Sequence, residues 1–266
     1  MVALQPTQRD WLAPVVTTAE YFDQWYADID ASPRRRQIFT EELDLPPEVE
    51  PSSFVPIDGM EELAAGLAVP PGGLLVDLAC GRGGPGMWLA RRMKARLIGV
   101  DFAPVAVGQA QQRRGVFGLD GQAEFVVGTL QETRLDSGIA DALICIDAFQ
   151  FAADFHAAAA EMRRVLKPGG RIALTSWEAV DRGDERMPAR LRELDLGASL
   201  TAAGLVDVSV VDKPEWRQRE ARFWARVQAT PVDGDAAIQS LHDEAAVVLP
   251  TFDAARRVLA TGRAPL

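Results

Sequence analysis

Cysteine and histidine are scarce in this chain. It has two of each among 266 residues. The two histidines are far apart in sequence and no cluster of cysteines and histidines occurs, so we expect no metal site. The two cysteines, Cys80 and Cys145, predict reduced thiols in a reducing compartment rather than a disulfide framework.

Long apolar runs and excess positive charge are also missing. No stretch of about 18 apolar residues occurs, and the first residues lack the basic and apolar pattern of a signal peptide, so we expect a cytoplasmic protein. Lys and Arg number 28 against 38 Asp and Glu, which gives a net charge of −10. This balance argues against nucleic acid or an anionic membrane as a partner. A basic run at 217–226 is interleaved with Glu215 and Glu220, a pattern typical of a solvated helix face.

Glycine is concentrated in one segment of the chain, at 74–86. The apolar run LLVDLA carries an acid and leads into CGRGGPG, in which four of seven residues are glycine. The run is too short for a helix and indicates a buried parallel strand, while the glycines permit a sharp turn and close approach of a ligand. A helical pattern, MWLARR, follows. This order of strand, glycine loop and helix is typical of a nucleotide site in a doubly wound α/β fold.

Two acids near this segment bear on the choice of nucleotide. Residues 81–86 match the dinucleotide pattern G-x-G-x-x-G, in which a helix N-terminus receives an anionic pyrophosphate. Asp77 would repel that group and suits a ligand with a cationic end, such as the α-ammonium of S-adenosylmethionine. Asp101 closes the next apolar run and has the acceptor oxygens that a ribose diol needs. Because nicotinamide cofactors share that ribose contact, a nicotinamide-dependent oxidoreductase stays open.

Three segments carry a resemblance to a known family. They are VDLACGRGG at 76–84, IGVDFAP at 98–104 and RRVLKPGGRIALTSW at 163–177. With these motifs in this order, the chain resembles the class I S-adenosylmethionine-dependent methyltransferases, especially the ubiquinone/menaquinone-type and natural-product group. The resemblance implies S-adenosylmethionine as cofactor and a Rossmann-like, seven-stranded, mostly parallel sheet. It does not name the acceptor, because one fold hosts many chemistries.

The resemblance also implies where the cofactor binds, at the ends of the first four strands. Where this chain has Thr129, the family often has an acid that binds the adenine amine, so the chain departs from the pattern at this point. The predicted cofactor-binding residues are Asp77, Ala79, Cys80, Gly81, Gly83, Asp101, Phe102, Thr129, Leu130 and Asp147.

The segment after the fourth strand, 147–151, should border the methyl group or the acceptor. Relatives often have a histidine near position 150, where this chain has Gln150, which cannot take a proton. His156 is the candidate catalytic base, since its ordinary pKa is about 6.5, and Asp154 is the expected cap of the helix that begins beside it. The alternative is transfer by proximity and orientation alone.

The N-terminal region is rich in aromatic residues. We expect residues 1–70 to form a helical cap or lid, with helices at 18–30 and 33–43 and a further helix capped by Asp58, over a cofactor-binding domain at 71–266. A small apolar or aromatic molecule is the matching acceptor, since pockets for such ligands are mostly apolar. The predicted acceptor-binding residues are Tyr21, Trp25, Tyr26 and Gln150.

The C-terminal third is expected to complete the sheet. The pattern predicts one helix at 189–203, a sixth strand at 205–211, and an antiparallel seventh strand at 257–263 rather than the end of a helix. A homodimer stays open as an assembly state. So does a methyltransferase fold without methylating activity, such as a cyclase-type enzyme or a binding module.

Overall fold

The computed structural model describes residues 22–26 and 32–266, so Tyr21, a predicted acceptor-binding residue, lies outside the described residues. A seven-stranded sheet with the order β3-β2-β1-β4-β5-β7-β6 forms its centre. The strands are β1 (Leu74–Leu78), β2 (Arg96–Asp101), β3 (Ala123–Val127), β4 (Ala140–Ile146), β5 (Leu166–Ala179), β6 (Val206–Asp212) and β7 (Ala255–Arg263).

Strands β1 to β5 run parallel, and β7 is antiparallel to both β5 and β6. The predicted doubly wound, mostly parallel sheet is therefore confirmed, including its antiparallel last strand. Because the strand order reverses between β1 and β4, the loops that follow them open a crevice at the carboxyl ends of the strands, where such folds bind ligands.

The central strands are buried along their whole length. All five residues of β1 are buried, and all but one of the seven residues of β4. Both faces of a parallel sheet are covered by helices, which is why these strands are near-continuous apolar runs. Asp77 is the exception in β1, and a buried acid in such a run indicates a function other than packing.

Nine α-helices lie within residues 32–266 and cover the two faces of the sheet, and residues 22–26 are helical as well. Residues of α1, α2, α3, α8 and α9 contribute to one apolar core, and residues of α5 and α7 to the other. The helices are α1 (Pro33–Leu43), α2 (Ile57–Leu67), α3 (Gly84–Met93), α4 (Pro104–Arg113), α5 (Phe155–Val165), α6 (Ala189–Glu193), α7 (Leu196–Ala202), α8 (Pro214–Ala229) and α9 (Ala236–Val248).

Two helix predictions are corrected by local capping. The single helix expected at 189–203 is split into α6 and α7, because the Asp195 side chain accepts the Ala198 N–H and starts a new helix. Asp58 does not cap α2: the helix begins at Ile57, and the Asp58 carboxylate accepts the N–H of Gly59 instead.

The described part of the N-terminal region packs into the main core. Phe39 of α1 meets Phe223 of α8 with ring centroids 4.5 Å apart, and α2 packs against α3 and β5. The division of the chain at residue 70 stays a prediction. Among the described residues, no helix is both long and apolar enough to cross a bilayer.

Candidate active site

A cavity of about 350 Å³ opens at the carboxyl ends of β1, β2, β3 and β4. The loops after these strands line it together with residues 22–26 and α9. Motifs that are far apart in sequence therefore meet at one place. Nine of the predicted cofactor-binding residues line this larger cavity: Asp77, Ala79, Cys80, Gly81, Asp101, Phe102, Thr129, Leu130 and Asp147.

The glycine loop after β1 turns through left-handed backbone. The φ angles of Ala79 and Gly81 are 55° and 54°, both in the left-handed region. Glycine adopts this region at little cost because it has no Cβ. A Cβ built on Gly81 would lie 2.7 Å from the Tyr26 hydroxyl oxygen. Glycine at 81 therefore lets Tyr26 approach the loop where the loop borders the cavity.

Gly83 has a different role from the one predicted. It does not line the larger cavity, and a Cβ built on it would lie 2.7 Å from the Phe125 ring and 3.2 Å from Ala110. Its φ of 74° is also left-handed. Packing and backbone conformation require this glycine, so the expectation that it contacts a ligand is corrected.

Asp101 holds the glycine loop to the end of β2. Its Oδ2 accepts the Gly81 N–H at 2.8 Å and its Oδ1 accepts the Ala103 N–H at 2.9 Å. Burial outweighs these hydrogen bonds and raises the pKa of Asp101 to about 6. Each carboxylate oxygen has a second lone pair, so Asp101 has acceptor capacity left for a ligand in the cavity.

Asp77 adds a second acid to the same cavity. Burial raises the pKa of Asp77 well above its ordinary value, the negative charge of Asp101 raises it further, and a hydrogen bond from the Gly86 N–H lowers it. A cation placed beside both carboxylates would favour their ionised forms.

The charge of the whole lining favours a cationic ligand. The described lining residues include five carboxylates and one guanidinium, that of Arg82, which pairs with Glu50 at 3.0 Å. A lining rich in carboxylates would repel the anionic pyrophosphate of a dinucleotide, and it fits a ligand with a sulfonium and an α-ammonium. The carboxylates are Glu50, Asp77, Asp101, Asp147 and Glu244.

The loop after β3 presents one polar and one apolar residue. Thr129 is exposed and Leu130 is buried, and both line the larger cavity. The Thr129 hydroxyl accepts the Glu132 N–H at 3.0 Å, which leaves its own hydrogen free to donate. This threonine thus fixes the turn through which the loop meets the cavity.

Asp147 borders the cavity, but its carboxylate is already occupied. Its two oxygens accept hydrogen bonds from the Thr175 hydroxyl at 2.7 Å, the Phe54 N–H at 2.9 Å and Arg257 at 2.9 Å. These bonds use the four lone-pair sites of the group. The carboxylate therefore forms a structural ion pair with Arg257 that joins the end of β4 to β7 and to the segment before α2, and contact of Asp147 with the cofactor stays a prediction.

Residues 22–26 bring aromatic side chains over the glycine loop. Phe22 meets Phe102 with ring centroids 5.2 Å apart, and Trp25 and Tyr26 line the larger cavity. None of these three lines the smaller cavity described next. Trp25 and Tyr26 therefore lie on the side of the predicted cofactor-binding loops, and their predicted contact with the acceptor stays a prediction.

A smaller cavity of about 150 Å³ adjoins the larger one. Five aromatic rings line it, together with aliphatic side chains of α9 and of the segment around α6. The rings belong to Phe54, Phe151, Trp177, Trp224 and Phe252. Four residues line both cavities and define what we call the junction: Ser52, Asp147, Phe151 and Glu244.

Glu220 organises two of these rings. Its carboxylate accepts the indole N–H of Trp177 at 2.9 Å and that of Trp224 at 3.2 Å. Only 1% of its surface is exposed, so the prediction that it belongs to a solvated face is wrong. Burial raises the pKa of Glu220, while the nearby Arg257 guanidinium lowers it.

The two remaining candidates for acceptor chemistry lie in different surroundings. Gln150 lines the smaller cavity, where its amide donates to the Asp147 carbonyl at 2.7 Å and accepts from the Ser176 hydroxyl at 2.9 Å. His156 is exposed at the start of α5, which Asp154 caps as predicted, and it lines neither cavity. The structure therefore places His156 away from both cavities, and its role as a catalytic base stays a prediction.

Sequence reasoning missed the residues that α8 and α9 bring to the site. Glu220 and Trp224 are four residues apart and so share one helix face, which was the available signal. Glu244 lies in an amphipathic helix with no motif around it. Its contact with both cavities depends on how α9 packs in three dimensions.

Comparisons with known proteins agree with this geometry. Residues 76–174 match the methyltransferase domain family. The chain is 29% identical over 150 residues to the sterol 24-C-methyltransferase ERG6 of Saccharomyces cerevisiae. The match covers 55% of this chain and 39% of that protein, so the chain spans about two fifths of the length of this relative.

Solved structures share the fold at low identity. A phosphoethanolamine N-methyltransferase of Haemonchus contortus in complex with S-adenosylmethionine aligns with a TM-score of 0.73 at 16% identity, covering 95% of this chain and 61% of that one. A geranyl diphosphate C-methyltransferase of Streptomyces coelicolor, solved with S-adenosylhomocysteine, aligns with a TM-score of 0.66 at 16% identity, covering 94% and 99%. With its motifs, sheet order and family match, the core of this chain at residues 76–174 is a methyltransferase domain of the class I S-adenosylmethionine-dependent family.

Proposed function

We propose that this protein transfers the methyl group of S-adenosylmethionine to a small apolar or aromatic acceptor. The larger cavity holds the cofactor, and the smaller cavity holds the acceptor. The observation that carries this proposal is the contact between the two cavities: an acidic one at the strand ends meets an apolar one at the four junction residues.

The cofactor is assigned by the chemistry of the larger cavity. Asp101 would accept hydrogen bonds from the ribose hydroxyls, and Asp77 would lie on the side of the α-ammonium. Phe102 and Leu130 would contact the adenine, and the backbone of Gly81 would border the methionine part. The acidic lining supports these roles, because S-adenosylmethionine carries a sulfonium and an ammonium close to one another.

The acceptor is assigned by the smaller cavity. Its five rings and aliphatic side chains favour a hydrocarbon or aromatic body. Relatives and fold neighbours named for sterols and for geranyl diphosphate act on molecules with large hydrocarbon parts, which supports the same class. We place the reaction in small-molecule or natural-product biosynthesis in the cytoplasm. A homodimer stays a prediction that light scattering tests.

The protein's own contribution is to orient the acceptor and exclude water. When bound, the cofactor supplies an electrophilic methyl group on a positively charged sulfur. The junction holds the acceptor's reacting atom in line with that group, a proximity effect worth up to about 7–11 kcal/mol in the best intramolecular models. Phe22, Trp25 and Tyr26 line the larger cavity, and we propose that the part of the N-terminal region that carries them acts as a lid.

Binding and turnover together test the proposal. Calorimetry should show S-adenosylmethionine and S-adenosylhomocysteine binding, while NAD, with its anionic pyrophosphate, should not bind. Mass spectrometry of apolar and aromatic molecules incubated with protein and cofactor should then show a gain of one methylene in mass. Binding of NAD in place of S-adenosylmethionine would overturn the proposal. Cofactor binding with a chemically changed but unmethylated product would support a non-methylating enzyme instead.

A further inference from the structure

We propose that Glu244 receives the acceptor's proton during methyl transfer, an assignment that rests on the proposed function. Glu244 lies on α9 and lines both cavities. It is partly buried. The group therefore borders the place where an acceptor in the smaller cavity would meet the methyl group of a cofactor in the larger one.

Four other titratable groups that line the two cavities are already engaged or protonated. Asp147 is saturated by its hydrogen bonds, as described above. Glu220 accepts both indole N–H groups and lies 3.9 Å from the Arg257 guanidinium. Burial raises the pKa of Cys80 and of Tyr26 well above their ordinary values, so neither is an anion near neutral pH.

Glu244 differs from all of these. Among residues 22–26 and 32–266, none of the described hydrogen bonds or ion pairs involves its carboxylate. Burial raises the pKa of Glu244 to about 7. A general base works best when its pKa is near the operating pH, because it is then ionised and still basic enough to hold a proton.

Burial is the main cause of the raised pKa of Glu244, and charged groups on the neighbouring helices modify it. Arg35 of α1 faces Glu244 and lowers its pKa, whereas Glu220 of α8 raises it. In the smaller cavity, Arg190 donates to the carbonyl oxygens of Gln150 and Ala152 rather than to an acid. The positive charge near Glu244 is therefore that of Arg35.

The proposed step is balanced in atoms and electrons. An electron pair of the acceptor forms the bond to the methyl carbon. The bond between that carbon and sulfur breaks, and its electron pair stays on sulfur as the positive charge is lost. The acceptor's proton moves to a Glu244 oxygen, and the resulting carboxylic acid releases the proton to solvent.

A binding experiment tests Glu244 without a known acceptor. Hexylamine and hexan-1-ol have the same chain length, but the amine is cationic across the range used, since alkyl ammonium groups have pKa values of about 10. With S-adenosylhomocysteine bound, calorimetry at pH 8 should show at least about tenfold tighter binding of the amine, equivalent to 1.4 kcal/mol. E244Q should lose this preference, and the wild type should lose it at pH 5.5.

Controls separate the possible outcomes. Asp243→Asn changes an acid one residue away that lines neither cavity, and it should keep the preference. No preference in the wild type, or an equal preference in E244Q, overturns the assignment of Glu244. Failure of S-adenosylhomocysteine to bind would count against the proposed function instead.

Kinetics and stability give independent readouts. With any acceptor that is methylated, E244Q should lower kcat by about 10²–10⁴-fold and abolish the ionisation near pH 7. A loss below tenfold with that ionisation intact overturns the assignment.

The pH dependence of stability is the second readout. The pKa of Glu244 is higher in the folded protein than in the unfolded chain. Protonation of Glu244 therefore contributes fully to the free energy of unfolding below about pH 4.5, and this contribution is lost as pH rises through about 7. The melting temperature of E244Q should therefore fall less than that of the wild type between pH 5 and pH 8.

Discussion

The two cavities of this protein are built by different means and differ in charge. The larger one lies at the ends of parallel strands, and short loops with polar backbone and five carboxylates form much of its lining. The smaller one is enclosed mainly by rings and aliphatic side chains from helices and from segments far apart in sequence. The proposed function assigns a charged cofactor to the first and an apolar acceptor to the second.

The contrast indicates that cofactor and acceptor binding can be altered separately. The ion pair between Asp147 and Arg257 bears on both cavities, because Asp147 lines both. The Arg257 guanidinium is fully buried and lies 4.1 Å from the centre of the Trp177 ring. Breaking this pair should disturb both sites, whereas changes inside either cavity should affect one.

The largest effect is expected for Arg257→Met. Removing one partner leaves the buried Asp147 charge uncompensated, which costs about 3–5 kcal/mol of unfolding free energy. Urea unfolding would measure this loss. Arg263→Met, on the same strand, breaks the half-exposed pair with Asp207 and should cost about 0–1 kcal/mol. Equal losses in the two variants would contradict a structural role for the buried pair.

Asp101→Asn should affect only the larger cavity. Loss of a charged hydrogen-bond acceptor should weaken S-adenosylmethionine binding by about 2 kcal/mol, or roughly 30-fold. Because the pKa of Asp101 is raised to about 6, affinity in the wild type should also fall as the pH drops below 6, and this fall should be absent in the variant.

Calorimetry at several pH values measures both effects of Asp101→Asn. The exposed Asp120→Asn is the matched control and should behave as the wild type. An unchanged affinity in folded Asp101→Asn would remove Asp101 from the site.

Val247→Trp should affect only the smaller cavity. Val247 lines that cavity from α9 and does not line the larger one, so a bulky ring there takes the space of the acceptor. Acceptor turnover should fall at least about tenfold, as for a ligand that no longer fits its pocket, while the dissociation constant of S-adenosylmethionine stays the same. Val247→Ile is the conservative control. A matching loss of cofactor affinity would mean that the two cavities do not act separately.

The smallest effect is expected for His156→Ala. The side chain is exposed and lines neither cavity, so kcat should change by less than about threefold, as expected for a surface substitution away from the site. The pH–rate profile of the variant should superimpose on that of the wild type. A large loss of kcat with cofactor affinity preserved would return His156 to the site.

The sheet and the larger cavity were predictable because their signals are local. The apolar run at β1, the glycine loop and Asp101 each follow from a few adjacent residues, and the rule that strand ends meet at one edge brings them together. The error at Gly83 has the same origin, since a motif does not show which of its glycines face a ligand and which pack against Phe125.

The smaller cavity was not predictable because it depends on long-range packing. Glu220 belongs to a basic run with the pattern of a solvated helix face. In the structure it is buried and accepts hydrogen bonds from the indole N–H groups of Trp177 and Trp224. Glu244 has no motif around it, and only the packing of α9 brings it to the junction. Trp25 and Tyr26 line the larger cavity, and the side they occupy follows from the contact of Tyr26 with Gly81.

A crystal structure with S-adenosylhomocysteine bound tests the central claim most directly. The account predicts the ribose hydroxyls at Asp101, the α-ammonium on the side of Asp77, and the sulfur directed at the junction formed by Ser52, Asp147, Phe151 and Glu244. A sulfur that points away from the junction, or a cofactor bound in the smaller cavity, would contradict it.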